Sequence, residues 1–128
     1  MAGNYDDQNV FAKILRGELP CNRVHETEHS LAFSDIAPIA PHHVLVIPKG
    51  PYVCFDDFSS NASPEEIVDF VKAVGDVCRQ LGVAPDSGGN GYRLLSNAGP
   101  DGVQVVPHLH IHIVAGRNLG PMLSRVLR

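Results

Sequence analysis

Pro107-His108-Leu109-His110-Ile111-His112-Ile113-Val114 sets three histidines at alternate positions in a run rich in apolar and β-branched residues. Successive side chains of a strand point to opposite faces. This spacing therefore predicts a strand with three imidazoles on one side and Leu109, Ile111 and Ile113 on the other, facing a core. Cα atoms two residues apart in a strand lie about 7 Å from one another. A row of imidazoles at that spacing needs hydrogen-bond partners that simpler polar residues would not demand.

Outward from this segment, short apolar or alternating runs bounded by turn residues predict further strands over 23–26, 30–34, 43–48 and 92–96, with the triad strand itself over 108–115. Two helices accompany them. Asn9 precedes Val10, Phe11, Ile14 and Leu15 at helical spacing, and Gly17 and Pro20 close that helix, placed at 9–16. Over 64–81, Ser63 and Glu66 can form a capping box, Pro64 suits the first turn and Gly82 can end the helix. Ile67, Val71, Val74, Cys78 and Leu81 are its predicted buried stripe. Strands that follow one another across turns such as Thr27-Glu28-His29 predict an α+β fold, a mostly antiparallel five-stranded sheet with two main helices.

The chain has 128 residues, 44% hydrophobic and 19% charged, enough for one domain with a real core and too few for two. The domain is placed at residues 9–120, with polar segments 1–8 and 121–128 read as tails. A net charge of -4 gives no long-range attraction for a polyanion, so nucleic acid is not expected as a partner; local donors can still hold a small phosphate ester. No apolar run reaches the roughly 20 residues of a membrane span, and the opening residues do not read as a secretory signal. A cytoplasmic protein with no membrane partner is expected. Cys21, Cys54 and Cys78 are scattered and lack Cys-x-x-Cys spacing, which predicts free thiols.

The triplet admits two chemistries. Imidazoles at alternating positions can converge on a metal ion, although three on one straight strand do not readily surround a tetrahedral ion and no further ligand motif presents itself. Alternatively, one neutral imidazole attacks phosphorus while its neighbours position the phosphate and handle the proton, provided a hydrogen bond at the other ring nitrogen fixes its tautomer. His25 and His29, beside Glu26 and Glu28 near a turn, read as ordinary surface residues.

His108-Leu109-His110-Ile111-His112-Ile113-Val114 resembles the His-φ-His-φ-His-φ-φ signature, φ being apolar, of the histidine-triad superfamily. A second similar block runs from Leu31 through Asp35, His43 and Lys49, and a third from Asn97 through Gln104. The resemblance spans roughly residues 9–120. Val114-Ala-Gly116-Arg117-Asn-Leu-Gly120-Pro121 after the triad is most similar to the histidine-triad nucleotide-binding branch.

The resemblance implies a homodimer in which the middle histidine, His110, becomes nucleotidylated and His112 stabilises or protonates at the phosphate. His108 matches the first triad histidine and His43 the upstream histidine that supports the triad, while His42 has no such match and is expected to face solvent. It implies Asp35 on the ribose hydroxyls and Phe11, Ile14, Phe33 and Ile36 around the base. Composition alone would assign those four apolar residues to core packing and Asp35 to a turn. Asn97 and the segment Val103, Gln104 and Val105 are implied at the phosphate; Val105 stands where many phosphoramidate-hydrolysing relatives have a hydroxyl residue. The implied activity is hydrolysis of a purine nucleoside 5′-phosphoramidate, an AMP or GMP derivative, with no metal or other cofactor required. Hydrolysis of dinucleoside polyphosphates and a non-catalytic nucleotide-binding adaptor are the rival readings.

Overall fold

The computed structural model describes residues 4–123. Its elements are α1 (Val10–Leu15), β1 (Arg23–Glu26), β2 (Ser30–Ser34), β3 (His42–Pro48), α2 (Phe55–Asn61), α3 (Pro64–Gln80), a 3-10 turn at Pro85–Ser87, β4 (Tyr92–Leu95) and β5 (Ile111–Ala115). The strands form one antiparallel sheet in the order β1-β2-β3-β5-β4, so the α+β class and five strands expected from the sequence are present.

The sheet has two covered faces. On one side, Ala32, Val44, Val46, Leu109, Ile113 and Ala115 pack against Phe70, Ala73, Val77 and Cys78 of α3. On the other, Leu31, Phe33, Leu45 and Ile47 pack against Phe11 of α1. The register sets Phe33 opposite Leu45 and Leu45 opposite His112, so the apolar row of the α1 face runs directly into the triad.

Helix α3 starts as its sequence predicts. Ser63 accepts from the Glu66 amide, the Glu66 carboxylate accepts from the Ser63 amide, and Pro64 occupies the first turn. Loss of such a cap costs about 1 kcal/mol. At the far end Gly82 adopts φ +75°, the left-handed conformation that lets the chain leave the helix. One residue of the predicted stripe is misplaced: Val71 is 64% exposed, and Phe70, Ala73 and Val77 are buried instead. The rest of the stripe faces inward as expected: Val74 and Cys78 are buried, and Ile67 and Leu81 pack against the core. The predicted periodicity chose Val71 over Phe70 because both fit a three-to-four spacing, and only the sheet beneath selects between them.

Helix α2 escapes sequence reading. Phe-Asp-Asp-Phe-Ser-Ser-Asn is short and poor in helix formers. It is held by Phe58, fully inside the core with its ring against Tyr52 and Phe70 at 5.1 Å from each. Val53 and Asn61 also donate to the buried Asp57 carboxylate. Tertiary contact stabilises what local propensity does not.

Candidate active site

β5 begins at Ile111, three residues later than the predicted strand. The His108 amide donates to the Val106 carbonyl and the Leu109 amide to the Tyr52 carbonyl, so this backbone is held by loops rather than by a neighbouring strand. The alternation nonetheless survives: Leu109 and Ile113 are buried on the α3 side, while Phe11 of α1 meets both His108 and His110, at centroid distances of 6.3 and 4.9 Å. The three imidazoles do not form an even row. His108 is completely buried behind the other two, and His110 and His112 stand ring to ring at 5.0 Å.

Partners fix the tautomers. His110 Nδ1 lies 2.7 Å from the His108 carbonyl, which can only accept, so Nδ1 carries the proton and Nε2 keeps its lone pair. The Ile39 amide donates to His43 Nδ1 at 3.2 Å, leaving the His43 proton on Nε2, which donates to His112 Nδ1 at 2.9 Å. His112 therefore carries its own proton on Nε2. His108 Nε2 donates to the Pro48 carbonyl at 2.8 Å, and its Nδ1 receives the Tyr5 hydroxyl at 2.6 Å. Each ring has one assigned proton and one assigned lone pair.

Burial keeps these rings neutral. It lowers His108 from 6.5 to about 4 against the opposing pull of the Pro48 carbonyl. It lowers His112 to about 4, helped by the neighbouring His110 and His43. His110 is lowered by burial as well, with the His108 carbonyl and Asp35 opposing. A neutral imidazole with a fixed Nδ1 proton and an unprotonated Nε2 is a nucleophile at neutral pH.

Asp35, His43 and His112 offer three ligand atoms within 4.8 Å of one another. The hydrogen bond behind His43 opposes a metal there. A histidine that ligates through Nε2 normally donates Nδ1–H to an acceptor, whereas His43 Nδ1 faces the Ile39 amide, a donor. The cluster is wired as a hydrogen-bond chain: the Asp35 carboxylate holds the Ala37 amide at 2.8 Å and stands 3.4 Å from His43 Nε2.

The apolar residues implied around a base are arranged unevenly. Phe11 and Phe33 are buried, edge to face at 5.5 Å, and form a floor beneath the triad; Ile14 is half-buried, and Ile36 is 98% exposed at the rim. In the 97–105 loop, Asn97 donates to the Gly102 carbonyl at 2.6 Å, and the Gln104 side-chain amide donates to the Val53 and Val106 carbonyls. These side chains brace the loop. Val103, at φ +56°, holds a conformation strained for a β-branched residue, and its side chain and that of Val105 are exposed.

His42 is half-buried rather than fully solvent-facing, since it heads β3 opposite Ala115. His25 is half-buried too, with Nε2 3.5 Å from Asp76 of α3. Lys49 pairs with Glu26, and the three cysteines are free. Tyr5, Ile39 and Tyr52 serve the triad yet carried no sequence signal. Tyr5 lies 103 positions from His108, in the segment read as a tail. At the other end Arg93 holds the Gly120 and Pro121 carbonyls, and residues 124–128 lie outside the described ones.

A deep neutral imidazole with a free Nε2, beside a chain of oriented imidazoles, is equipped for nucleophilic group transfer. The model of the HIT domain matches residues 16–119. The chain is 59% identical to an uncharacterized 13.2 kDa HIT-like protein of Azospirillum brasilense, over 98% of this chain and 99% of that one. It is 36% identical to the purine nucleoside phosphoramidase of Escherichia coli K12, over 92% of this chain and 95% of that one. Among solved structures, a HIT family hydrolase from Clostridium thermocellum superposes with a TM-score of 0.80 at 39% identity, covering 92% of this chain and 98% of that one. The chain belongs to the histidine-triad (HIT) family.

Proposed function

We propose that this protein hydrolyses purine nucleoside 5′-phosphoramidates through a nucleotidyl intermediate on His110 Nε2. The observation that carries this reading is the bond from His110 Nδ1 to the His108 carbonyl, which turns a free lone pair on Nε2 toward the space beside His112. The name of the E. coli relative supports the substrate class.

In the first step His110 Nε2 attacks the α-phosphorus, forming a P–N bond as the bond to the amine breaks. Attack through Nε2 leaves the proton on Nδ1, donated to the His108 carbonyl, so the developing positive ring is stabilised where it stands. The phosphoryl anion, seated against His112, offsets the burial that keeps this ring neutral, so His112 takes up a proton from solvent as substrate binds; the resulting imidazolium then gives the leaving amine its proton and returns to neutral. In the second step water attacks phosphorus, releases AMP or GMP, frees His110 Nε2 and returns one proton to His112. The sum is one amidate and one water to one amine and one nucleotide. Asp35 accepts from the ribose hydroxyls, the base rests on Phe11, Ile14 and Phe33 with Ile36 at the rim, and Asn97, Val103, Gln104 and Val105 shape the loop at the phosphate. Backbone amides there meet oxyanion charge. No metal takes part.

The working unit is a homodimer. β4 is a sheet edge. Tyr92 and Leu94 there, with Phe55, Val71 and Ile111, line an apolar trough that is continuous with an unpaired strand edge, a surface suited to a second copy. No described helix is long and apolar enough to cross a membrane. Nucleotide substrates and three free thiols suit the cytoplasm.

The test is turnover of an adenosine 5′-phosphoramidate of a primary amine, with and without chelator, by wild type and His110→Ala. Chelator-resistant release of amine and AMP that disappears in the variant is the expected result. Turnover by the variant, or loss of wild-type activity with chelator, would overturn it.

A further inference from the structure

The N-terminal segment reaches the triad through a single side chain. Tyr5 Oη lies 2.6 Å from His108 Nδ1, and Asn9 Nδ2 donates to Tyr5 Oη at 3.0 Å. Because Nε2 of His108 already donates to the Pro48 carbonyl, Nδ1 must accept, and the tyrosine hydroxyl must donate. The bonds run in one direction from Asn9 through Tyr5 and His108 to Pro48. Asn9 is also fixed: its Oδ1 caps α1 at the Ala12 amide and its Nδ2 holds the Asp6 carbonyl. Helix α1, the N-terminal segment and the first triad histidine are thereby one hydrogen-bonded unit.

We propose that Tyr5 is a positioning residue for the nucleophile, acting through His108. The inference rests on the reading of His110 as nucleophile. His108 touches no substrate, being wholly buried, but its carbonyl is the group that orients His110 Nδ1. Ring and carbonyl belong to one residue, held between the Tyr5 hydroxyl and the Pro48 carbonyl, so a shift of the His108 backbone toward a new ring partner carries the carbonyl with it. Without the tyrosine hydroxyl, His108 Nδ1 is a buried acceptor with no donor, and the ring turns or the segment moves to satisfy it. The geometry of an attacking atom tolerates little displacement. Burial raises the Tyr5 hydroxyl above its ordinary value, so it keeps the proton it donates at neutral pH. The tyrosine ring itself stands edge to face on His108 at 5.6 Å, a contact that phenylalanine preserves.

The experiment compares wild type, Tyr5→Phe, a protein carrying 3-fluorotyrosine in place of tyrosine, and Gln8→Ala as a control for the exposed part of the same segment. Rapid quench gives the rate of nucleotidyl-His110 formation, steady state gives KM, and nitrogen-15 spectra report the His108 tautomer. In Tyr5→Phe, formation slows roughly tenfold while KM changes by less than about twofold, because the base and ribose contacts are untouched. The His108 Nδ1 resonance shifts and the His43 and His112 resonances do not. Fluorotyrosine keeps the donor and the rate, and Gln8→Ala behaves as wild type. A wild-type rate and unchanged His108 resonances in Tyr5→Phe would overturn the proposal, as would a raised KM with an unchanged rate. If wild type forms no nucleotidyl enzyme, the functional reading fails, and the spectra alone still decide whether Tyr5 fixes His108.

Discussion

His43 donates from Nε2 to Nδ1 of His112 at 2.9 Å, and the Ile39 amide behind it sets the direction of that bond. The consequence lies on the far side of His112, where Nε2–H is presented to whatever stands beside His110. Replacing His43 by Ala removes the constraint and lets His112 adopt either tautomer. Turnover should fall roughly tenfold or more with KM little changed, since misaimed donors act on the transition state. Steady-state kinetics of His43→Ala check this, and a rise in KM alone would contradict it.

His110→Ala deletes the proposed nucleophile and leaves the Phe11 and Phe33 floor in place. Turnover should drop by about a thousandfold or more while AMP binding and thermal stability stay near wild type. Calorimetry beside the activity assay separates this outcome from simple unfolding.

Activity should extend to acid pH. Burial lowers His110 below 6.5, so its Nε2 stays unprotonated where a free histidine would already be charged. The acid limb of kcat/KM is expected to have its midpoint below 6.5, and a midpoint at or above that value would refute the environment described for His110.

Stability carries its own pH signature. His108 binds a proton near 6.5 when unfolded and only near 4 when folded, so between these values the unfolded chain holds more protons and folding weakens as pH falls. The contribution is up to about 3 kcal/mol at the bottom of that window. Denaturant midpoints measured from pH 7 to 4.5, above most carboxylate titration, should decline steadily. A flat profile would show that His108 is not buried as described.

Leu94 is 43% exposed on the β4 edge, within the apolar trough. Leu94→Glu should halve the solution mass measured by light scattering, because a charge in a paired interface is left without a partner. A wild-type mass in this variant, or a monomeric wild type, would remove the proposed dimer surface.

Much of this arrangement is legible in one dimension because it is periodic or local. Alternation from His108 to Ile113 places imidazoles and core on opposite faces even where ladder pairing has stopped, since side-chain direction depends on backbone conformation rather than on a partner strand. Ser63, Pro64, Glu66 and Gly82 mark α3 because caps are made from neighbours in sequence. Val71 fits an inward stripe by its spacing and lies outward, since a stripe's exact bearing is set by the sheet it meets. Helix α2 had no local signal, depending on Phe58 finding Tyr52 and Phe70.

Alternation along the chain is enough to put three imidazoles opposite an apolar row in an α+β domain, although the strand itself starts only at Ile111. Which nitrogen of each ring carries the proton depends on the folded chain. A tautomer is chosen by the group facing each nitrogen, and those groups come from distant parts of the chain: the Pro48 carbonyl and Tyr5 hydroxyl at His108, and His43 at His112, itself set by the Ile39 amide. Burial likewise exists only once the chain has closed around the rings, and it is burial that keeps them neutral.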